Sequence, residues 1–435
     1  MTSSRKRPWA GNLIQNAVAL MLSSGGTAVF GLVFWAAAAH LAKAEDIGLA
    51  SAEIVAVTLI ANLSQLSYTT IFDRFLPVTG NQTRRFVTRA YTMCALVGFI
   101  VAVVYVYAGF GRRFIPSSLG WRALFVVAVV LWTIFVLQDS VLTGLRSTRW
   151  VPVENILCAL AKLALLPAFL VFTARQGIFL AWAAPVVVAI GVVNWYLFRK
   201  RIPNHEATTS SSENLPSRRE FVSLAFGQYA ISLLSTLSTG LVVLIVIERL
   251  GPVAEAHYYV PAMISSGVGV LLWNLVTSFL VEASSDPKEL RQHANITIRA
   301  AIIVLIPSIS IGVAFAPEFL RIFGASYAAT GTTLLRMLLL SLPGTAVSAF
   351  YYSLAWLDRR VWFLAGRSLV GNAIYFAVIF TLIGHFGILS VGIASLVWSG
   401  LQVIFFLPIS IRRYQAIAST DRPPKTTKTD SVPNA

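Results

Sequence analysis

Long apolar stretches without Asp, Glu, Lys or Arg recur along the whole chain. They cover residues 11–42, 90–111, 176–198, 221–247, 256–281, 300–317, 337–357 and 368–411. A helix that crosses a bilayer needs about 20 mostly apolar residues, so each stretch is consistent with a membrane span. The last stretch is too long for one crossing. The segment Gly384-His385-Phe386-Gly387 interrupts it, which predicts two helices joined by a tight turn.

Placing helices in the remaining sequence predicts an all-α, polytopic membrane protein with twelve transmembrane helices. Their expected bounds are 12–39, 49–72, 90–110, 121–142, 153–174, 177–198, 221–247, 256–281, 300–316, 331–356, 361–383 and 387–411.

Composition supports this prediction. Of the 435 residues, 57% are hydrophobic and 12% are charged, and the mean hydropathy is +0.74. A soluble domain carries about 25% charged residues, so the sequence excludes a water-soluble enzyme of this size. We therefore expect no enzyme activity, and we expect no cofactor because no phosphate loop or metal-binding motif is present.

The formal net charge of +16 is best explained by membrane orientation. If the N-terminus is cytoplasmic, the inner segments hold 25 of the 34 Lys and Arg residues and the outer segments hold eight. Positive residues accumulate in cytoplasmic loops. We therefore expect a multi-pass protein of the cytoplasmic (inner) membrane with both termini in the cytoplasm, and no nucleic-acid partner.

Two halves follow each other in the same direction. A cytoplasmic tail (1–11) precedes a six-helix bundle (12–198), and a polar, flexible cytoplasmic linker (199–220) leads to a second six-helix bundle (221–411) and a cytoplasmic tail (412–435). Each helix start in the first half lies about 209 residues before a start in the second. Such parallel repeats are related by a pseudo-two-fold axis along the membrane normal, an arrangement typical of transporters.

Several short segments carry a resemblance to a known family. They are two similar outer turns (HLAKAEDIG at 40–48 and RLGPVAEAH at 249–257), FDRFLP at 72–77, IFGASY at 322–327 and GHFGILSVGIA at 384–394. With these segments in this order, the chain resembles the polysaccharide flippase branch of the multidrug/oligosaccharidyl-lipid/polysaccharide exporter superfamily. The resemblance runs from about residue 12 to residue 413.

The resemblance implies a transporter that flips a polyprenyl-diphosphate-linked oligosaccharide across the membrane by alternating access, for polysaccharide or cell-envelope synthesis. It implies glycan polymerase and glycosyltransferase machinery as partners beside the membrane lipids, and we expect a monomer. One alternative is a cation-coupled drug or metabolite extruder of the same superfamily, which should carry acidic cavity residues. A membrane-embedded glycan polymerase is a weaker alternative, because the longest outer loop has a single acid, Glu318.

Two cations within the spans are candidate substrate contacts. A charge near the bilayer centre costs about 3 kcal/mol on insertion scales, so it should face a cavity or a partner. Lys162 lies about nine residues into helix 153–174 and would attract a diphosphate. The alternative is a structural pair with Asp139 or Glu154. Arg336 is either a second phosphate contact or a side chain that snorkels to the interface.

Further candidates lie at helix ends and on polar stripes. Arg74 and Arg146 at inner helix ends either guide an anionic headgroup or only set the topology. Asn16 and Gln228 belong to polar stripes on helices one and seven, which suit a hydrated cavity for sugar hydroxyls or polar contacts between helices.

Two acids are candidates for ion coupling. Asp139 near the inner end of helix four and Glu53 in helix two could bind a coupling cation or proton, because buried carboxylates titrate near neutrality. A plain ion pair is the alternative for Asp139.

Overall fold

The computed structural model describes residues 26–171, 173–209, 218–285, 290–357 and 361–420. Every regular element in these ranges is helical, which confirms the all-α prediction. The predicted domain boundaries stay predictions. The start of the first helix, predicted at residue 12, lies outside the described residues together with Asn16.

The first half supplies α1 to α8. They are α1 (Gly26–Leu41), α2 (Ala44–Ser64), α3 (Tyr68–Phe75), α4 (Thr83–Tyr107), α5 (Leu119–Gly144), α6 (Trp150–Leu170), α7 (Ala174–Tyr196) and α8 (Ile202–Thr208). Short 3-10 turns, Leu76–Val78 and Gly80–Gln82, join α3 to α4.

The second half supplies α9 to α16. They are α9 (Arg218–Leu250), α10 (Pro252–Ser285), α11 (Leu290–Ala314), α12 (Ala316–Arg321), α13 (Ala325–Leu340), α14 (Leu342–Leu357), α15 (Val361–Phe386) and α16 (Leu389–Thr420). The predicted turn between the last two helices is present, with Gly387 at φ +53°.

Eleven helices within the described ranges are long and apolar enough to cross a membrane. Helices α13 and α14 run on as one such span, Ala325–Leu354, and the shorter apolar helix Gly26–Leu41 covers the end of the first predicted span. The predicted spans and the observed helices therefore correspond one to one, which makes this a multi-pass membrane protein.

The start of the predicted flexible linker is helical. Helix α7 passes through a π-helical turn, Leu197–Arg201, into α8. The α8 residue His205 lies within hydrogen-bonding distance of the Thr83 hydroxyl (3.0 Å), and the Glu206 carboxylate accepts a bond of 2.8 Å from the Arg84 amide. These contacts dock α8 on the start of α4, and they explain why a polar sequence forms a helix here.

Helix α2 joins the two halves, because it packs against both α9 and α10. The approach to α10 is closest at Gly48, where an added Cβ atom would lie 1.8 Å from the Pro252 carbonyl oxygen. In the predicted repeat α2 and α10 are equivalent helices. When two repeats are related by a two-fold axis that runs between them, the helices nearest the axis contact their equivalents, as α2 and α10 do here.

Polar contacts at the predicted outer side reinforce this seam. The Ser51 hydroxyl donates a 2.6 Å hydrogen bond to Glu255 Oε2, and both residues are fully buried. Arg113 forms a 3.3 Å ion pair with Glu248, and His40 Nε2 lies 2.9 Å from the Ile322 carbonyl oxygen. The two halves are therefore in contact at the ends that the charge distribution predicts to be outer.

The seam leaves no room for a methyl group at Gly48. We expect Gly48→Ala to lower the free energy of unfolding by about 1–3 kcal/mol, the usual cost of overpacking, as measured by thermal unfolding of the purified protein. Gly267→Ala in α10 is the matched control, because its methyl group would meet no atom within 4 Å. Equal stability of the two variants would show that α2 and α10 are not tightly packed.

Loss of the Ser51 hydroxyl should weaken outer closure. Ser51→Ala leaves the buried Glu255 carboxyl without this donor, a cost of about 1–3 kcal/mol, which corresponds to about a 5- to 150-fold shift in the conformational equilibrium. Chemical cross-linking of an R113C/E248C double variant measures closure. Each single variant is the control for cross-linking to the native cysteines Cys94 and Cys158, which are buried and should not react. We expect slower cross-linking after Ser51→Ala; an unchanged rate would remove Ser51 from the closing contact.

Candidate functional site

A polar cavity lies between the halves, on the inner side of the seam. It measures about 170 Å³ and is bounded by the end of α2, the start of α3 and the middle of α9. Hydroxyl and amide groups dominate its wall, which comprises Asn62, Gln65, Ser67, Thr69, Tyr229, Ser232 and Thr236 beside Leu63 and Leu233. Such groups bind neutral polar parts of a solute by hydrogen bonds.

Unusual backbone shapes the first-half wall of this cavity. Leu66 and Ser67 both have positive φ, at 49° and 62°, between α2 and α3. For residues other than glycine this conformation costs about 1–3 kcal/mol and often marks a functional segment. The Ser67 hydroxyl is buried and has no hydrogen-bond partner among the described residues. The strained turn therefore presents an unsatisfied hydroxyl at the cavity.

Five polar residues of this wall were not predicted from the sequence, and they are Asn62, Gln65, Ser67, Thr69 and Tyr229. Asn62 and Gln65 end α2, and the Gln65 amide donates a 2.8 Å bond to the Asn62 oxygen. Two side-chain amides three residues apart lie on one face of a helix, so this pair at the end of an apolar helix was a sequence signal for the polar cavity. The predicted stripe on helix seven contributes Ser232 and Thr236, whereas the side chain of Gln228 lies outside the described part.

An apolar groove of about 530 Å³ lies between α1 of the first half and α10 to α13 of the second. Val29, Val33 and Ile311 on its wall are exposed, so the groove opens at the surface that lipid would cover. It is suited to an apolar part of a solute or to a lipid chain.

Lys162 lies within the first half beside a stacked pair of indole rings. Its ammonium nitrogen is 4.9 Å from the ring centroid of Trp132 and 5.1 Å from that of Trp182. The two indoles stack with centroids 4.3 Å apart. This cation–π arrangement contributes about 0.5–2 kcal/mol. No carboxylate is ion-paired with Lys162 in the described ranges, so the alternative of a structural pair with Asp139 or Glu154 finds no support.

The other predicted cations lie on different helices or at their ends. Arg336 on α13 donates a 3.0 Å hydrogen bond from Nε to the Val313 carbonyl oxygen on α11. Arg74 and Arg146 are exposed, and Arg74 lies 5.3 Å from the ring centroid of Phe75. Neither Lys162 nor Arg336 lines the polar cavity or the apolar groove, and their roles as phosphate contacts stay predictions.

The two predicted ion-coupling acids lie at different places in the first half. Glu53 on α2 is fully buried and accepts a 2.6 Å bond from the Trp121 indole N–H. Asp139 on α5 accepts a 3.2 Å bond from the Asn155 amide and lies close to Glu154 on α6. The structure therefore places a second carboxylate beside Asp139, whereas Glu53 stands apart from both. Their role in coupling stays a prediction.

No protein-family model and no curated protein matches the sequence. Solved structures match over nearly the whole chain. The MATE multidrug transporter DinF-BH, solved as a complex with a ligand, aligns at 14% identity with a TM-score of 0.66, over 96% of this chain and 100% of that one. A multidrug resistance MATE family transporter of the MOP superfamily, in an outward-facing conformation, aligns at 15% identity with a TM-score of 0.63, over 94% and 96%.

A third similar structure differs in its reported pocket. It is a MOP superfamily transporter from Pyrococcus furiosus, described as having a binding pocket of reverse polarity that suggests a different function. It aligns at 16% identity with a TM-score of 0.59, over 93% of this chain and 96% of that one. At such identities the likeness shows the fold alone. The chain therefore has the twelve-span helical fold of MATE transporters, and the flippase branch is not distinguished from the other branches.

Proposed function

We propose that the chain is a secondary transporter that exports amphiphilic organic cations by alternating access, driven by a cation gradient. The observation that carries the proposal is the arrangement of the two halves. They touch at their outer ends through Ser51 and Glu255 and leave a polar cavity on the inner side of that contact. In this state the outer side is closed, and a solute would enter from the cytoplasm.

The two cavities offer an amphiphile two kinds of surface. The amide and hydroxyl groups of the polar cavity can replace water around a polar group, and the apolar groove, which shares no wall residue with it, can accept rings or alkyl chains. The fold is shared with two structures that are described as multidrug transporters. That likeness supports a solute of the size and amphiphilic character of a drug.

Buried acids also favour this function. Glu53, Glu154 and Glu255 are at most 6% exposed, and the described residues place no ion-paired Lys, Arg or His on them. Arg175 interacts electrostatically with Glu53, so Glu154 and Glu255 are the candidates for binding a cation or proton, because an uncompensated carboxylate is costly in a membrane interior. These acids do not line the polar cavity, where the extruder alternative was expected to carry them, so that alternative is favoured by the fold shared with the multidrug transporters.

Transport of tetraphenylphosphonium, an aromatic organic cation, tests the proposal. In everted vesicles from a host without its own multidrug exporters, we expect an imposed cation gradient to drive uptake of the radiolabelled compound, which an ionophore abolishes. Gln65→Leu should reduce the initial rate about tenfold, because it removes polar contacts from the cavity wall. Gly267→Ala serves as the control. Folded wild-type protein that moves no tetraphenylphosphonium under a Na⁺ or H⁺ gradient would contradict this function.

A second candidate is the flipping of a lipid-linked oligosaccharide, for polysaccharide or envelope synthesis. Lys162 favours it, because a half-buried cation beside two indoles can attract a diphosphate. The exposed groove could also hold a prenyl chain. The Pyrococcus furiosus transporter supports the idea that pocket polarity separates functions within the superfamily.

The two candidates differ in what they require of Lys162. If the chain flips a polyprenyl-diphosphate sugar, Lys162→Ala should abolish flipping in a reconstituted headgroup-accessibility assay, while Lys162→Arg keeps much of the activity. The melting temperature of each variant controls for folding. Normal flipping by Lys162→Ala would exclude Lys162 as the anion contact, and absence of flipping by the wild type would exclude the second candidate.

A further inference from the structure

Four exposed cations and two aromatic rings lie together where α6 begins and α7 ends, at the predicted inner side of the first half. The cations come from the turn before α6 and from the π-helical turn after α7. The rings of Trp150 and Tyr196 pack against each other with centroids 4.8 Å apart. We name this group the basic patch, and its members are Arg146, Arg149, Trp150, Tyr196, Arg199 and Lys200.

Backbone contacts hold the two basic segments side by side. Arg201 donates a 3.3 Å bond from Nη2 to the Leu145 carbonyl oxygen, which ties the π-helical turn to the turn before α6. The side chains of Leu145 and Leu197 are buried in the same apolar cluster. Arg146 has φ +55°, a conformation that is uncommon for residues other than glycine. The fold therefore brings the positive charges of two separate segments together.

The basic patch carries no compensating acid in the part of the chain that the structure describes. No carboxylate there forms an ion pair with its four cations. Asp139 and Glu154 accept hydrogen bonds from side-chain amides, and Glu206 accepts one from the Arg84 backbone amide. Like charges held close together repel each other, so a ligand with negative charge would stabilise this arrangement.

Apolar stripes extend from the basic patch towards the membrane centre. Residues three and four positions apart share one face of a helix. On α6 such a stripe comprises Trp150, Val153 and Leu157, and on α7 it comprises Trp195, Val192 and Val188; all six side chains are between 44% and 66% exposed. Both stripes start at the patch, because α6 begins and α7 ends there. A ligand with an anionic head and acyl chains matches both surfaces, whereas inorganic phosphate matches only the charge.

We propose that the basic patch binds the headgroup of an anionic phospholipid, with the acyl chains on the exposed stripes of α6 and α7. The forked N–H groups of arginine match the oxygen atoms of a phosphate. Tryptophan is typical of the level at which headgroups lie, and basic pockets between transmembrane helices bind anionic headgroups. Lipid binding at this patch does not depend on the transport function proposed above.

A bound headgroup would stabilise more than the two segments that it touches. The π-helical turn leads directly into α8, and α8 is docked on the start of α4 through His205 and Glu206. A phosphate between the turn before α6 and the π-helical turn would therefore link α6, α7, α8 and α4 at one end of the first half. Short π-helical segments often occur at functional sites, which agrees with a ligand at this position.

Native mass spectrometry of the purified full-length protein tests the site. We expect dioleoylphosphatidylglycerol to bind at lower concentrations than dioleoylphosphatidylcholine, which has the same chains and no net charge. The double variant Arg149→Gln/Lys200→Gln should weaken the apparent affinity for phosphatidylglycerol about tenfold or more, because it removes one cation from each segment. Arg84→Gln/Arg85→Gln is the matched control, since it removes two exposed cations from the start of α4, outside the patch.

Melting temperatures separate folding from lipid binding. Nanodiscs of phosphatidylcholine show whether each variant folds, and Arg146→Gln/Arg199→Gln provides the same test if the first double variant does not. Nanodiscs of phosphatidylglycerol should raise the melting temperature of the wild type and of the control, and the patch variant should lose most of this gain. Equal phosphatidylglycerol affinity of the patch variant and the control would overturn the proposal. So would equal stabilisation of the wild type by glycerol 3-phosphate, which carries the charge without the acyl chains.

Discussion

A polar group inside a bilayer must find its partner within the protein, and this constraint governs most of the structure. It explains why every regular element of the described chain is a helix, since a helix satisfies its own backbone groups. It also explains why side chains that carry charge or hydrogen bonds collect at a few places. These are the seam at Ser51 and Glu255, the cavity at the end of α2, and the cluster around Asp139 and Glu154.

The seam between α2 and α10 combines a tight contact, which favours closure, with the burial of a carboxyl group, which opposes closure. Gly48 lets the helices approach at the Pro252 carbonyl, so dispersion contacts favour closure. Beside it, Glu255 is fully buried with a single donor, so closure also hides a carboxyl group that water would solvate well. Opposing terms of this kind would keep two conformations close in free energy, as the proposed alternating access requires. A transporter needs such a balance, since a seam with only favourable contacts would lock one state.

The sequence alone predicts the membrane spans well, because whether a segment crosses the membrane depends on the hydropathy of its own residues. The predicted helix 121–142 agrees with α5, Leu119–Gly144, to within two residues at each end. Helix α4 starts at Thr83, well before its predicted start at residue 90, because its first turns carry Arg84, Arg85 and Arg89 beyond the apolar segment. Helix α8 was missed for a related reason, since contacts with α4 stabilise it and its own hydropathy does not.

The candidate sites depended on the packing of several helices, which one sequence does not reveal. Lys162 stood out as a charge within a span, but its partners Trp132 and Trp182 lie 30 and 20 residues away on other helices. Asp139 was likewise identified as an isolated acid. Its neighbours Tyr91 and Asn155 come from α4 and α6, and neither residue type is unusual in an apolar helix. The local pattern identifies residues that need a partner, and only the packing identifies the partner.

In the interior of the first half, the positive charge of Lys162 lies apart from the carboxylates of Asp139 and Glu154. If Lys162 had paired with Glu154, the bundle would be neutral and would bind neither sign of ligand strongly. Instead the cation is satisfied by aromatic faces, and the carboxylates keep their oxygen atoms free about two helical turns away. A membrane protein that leaves opposite charges unpaired at this distance retains the affinity of each for an external ion.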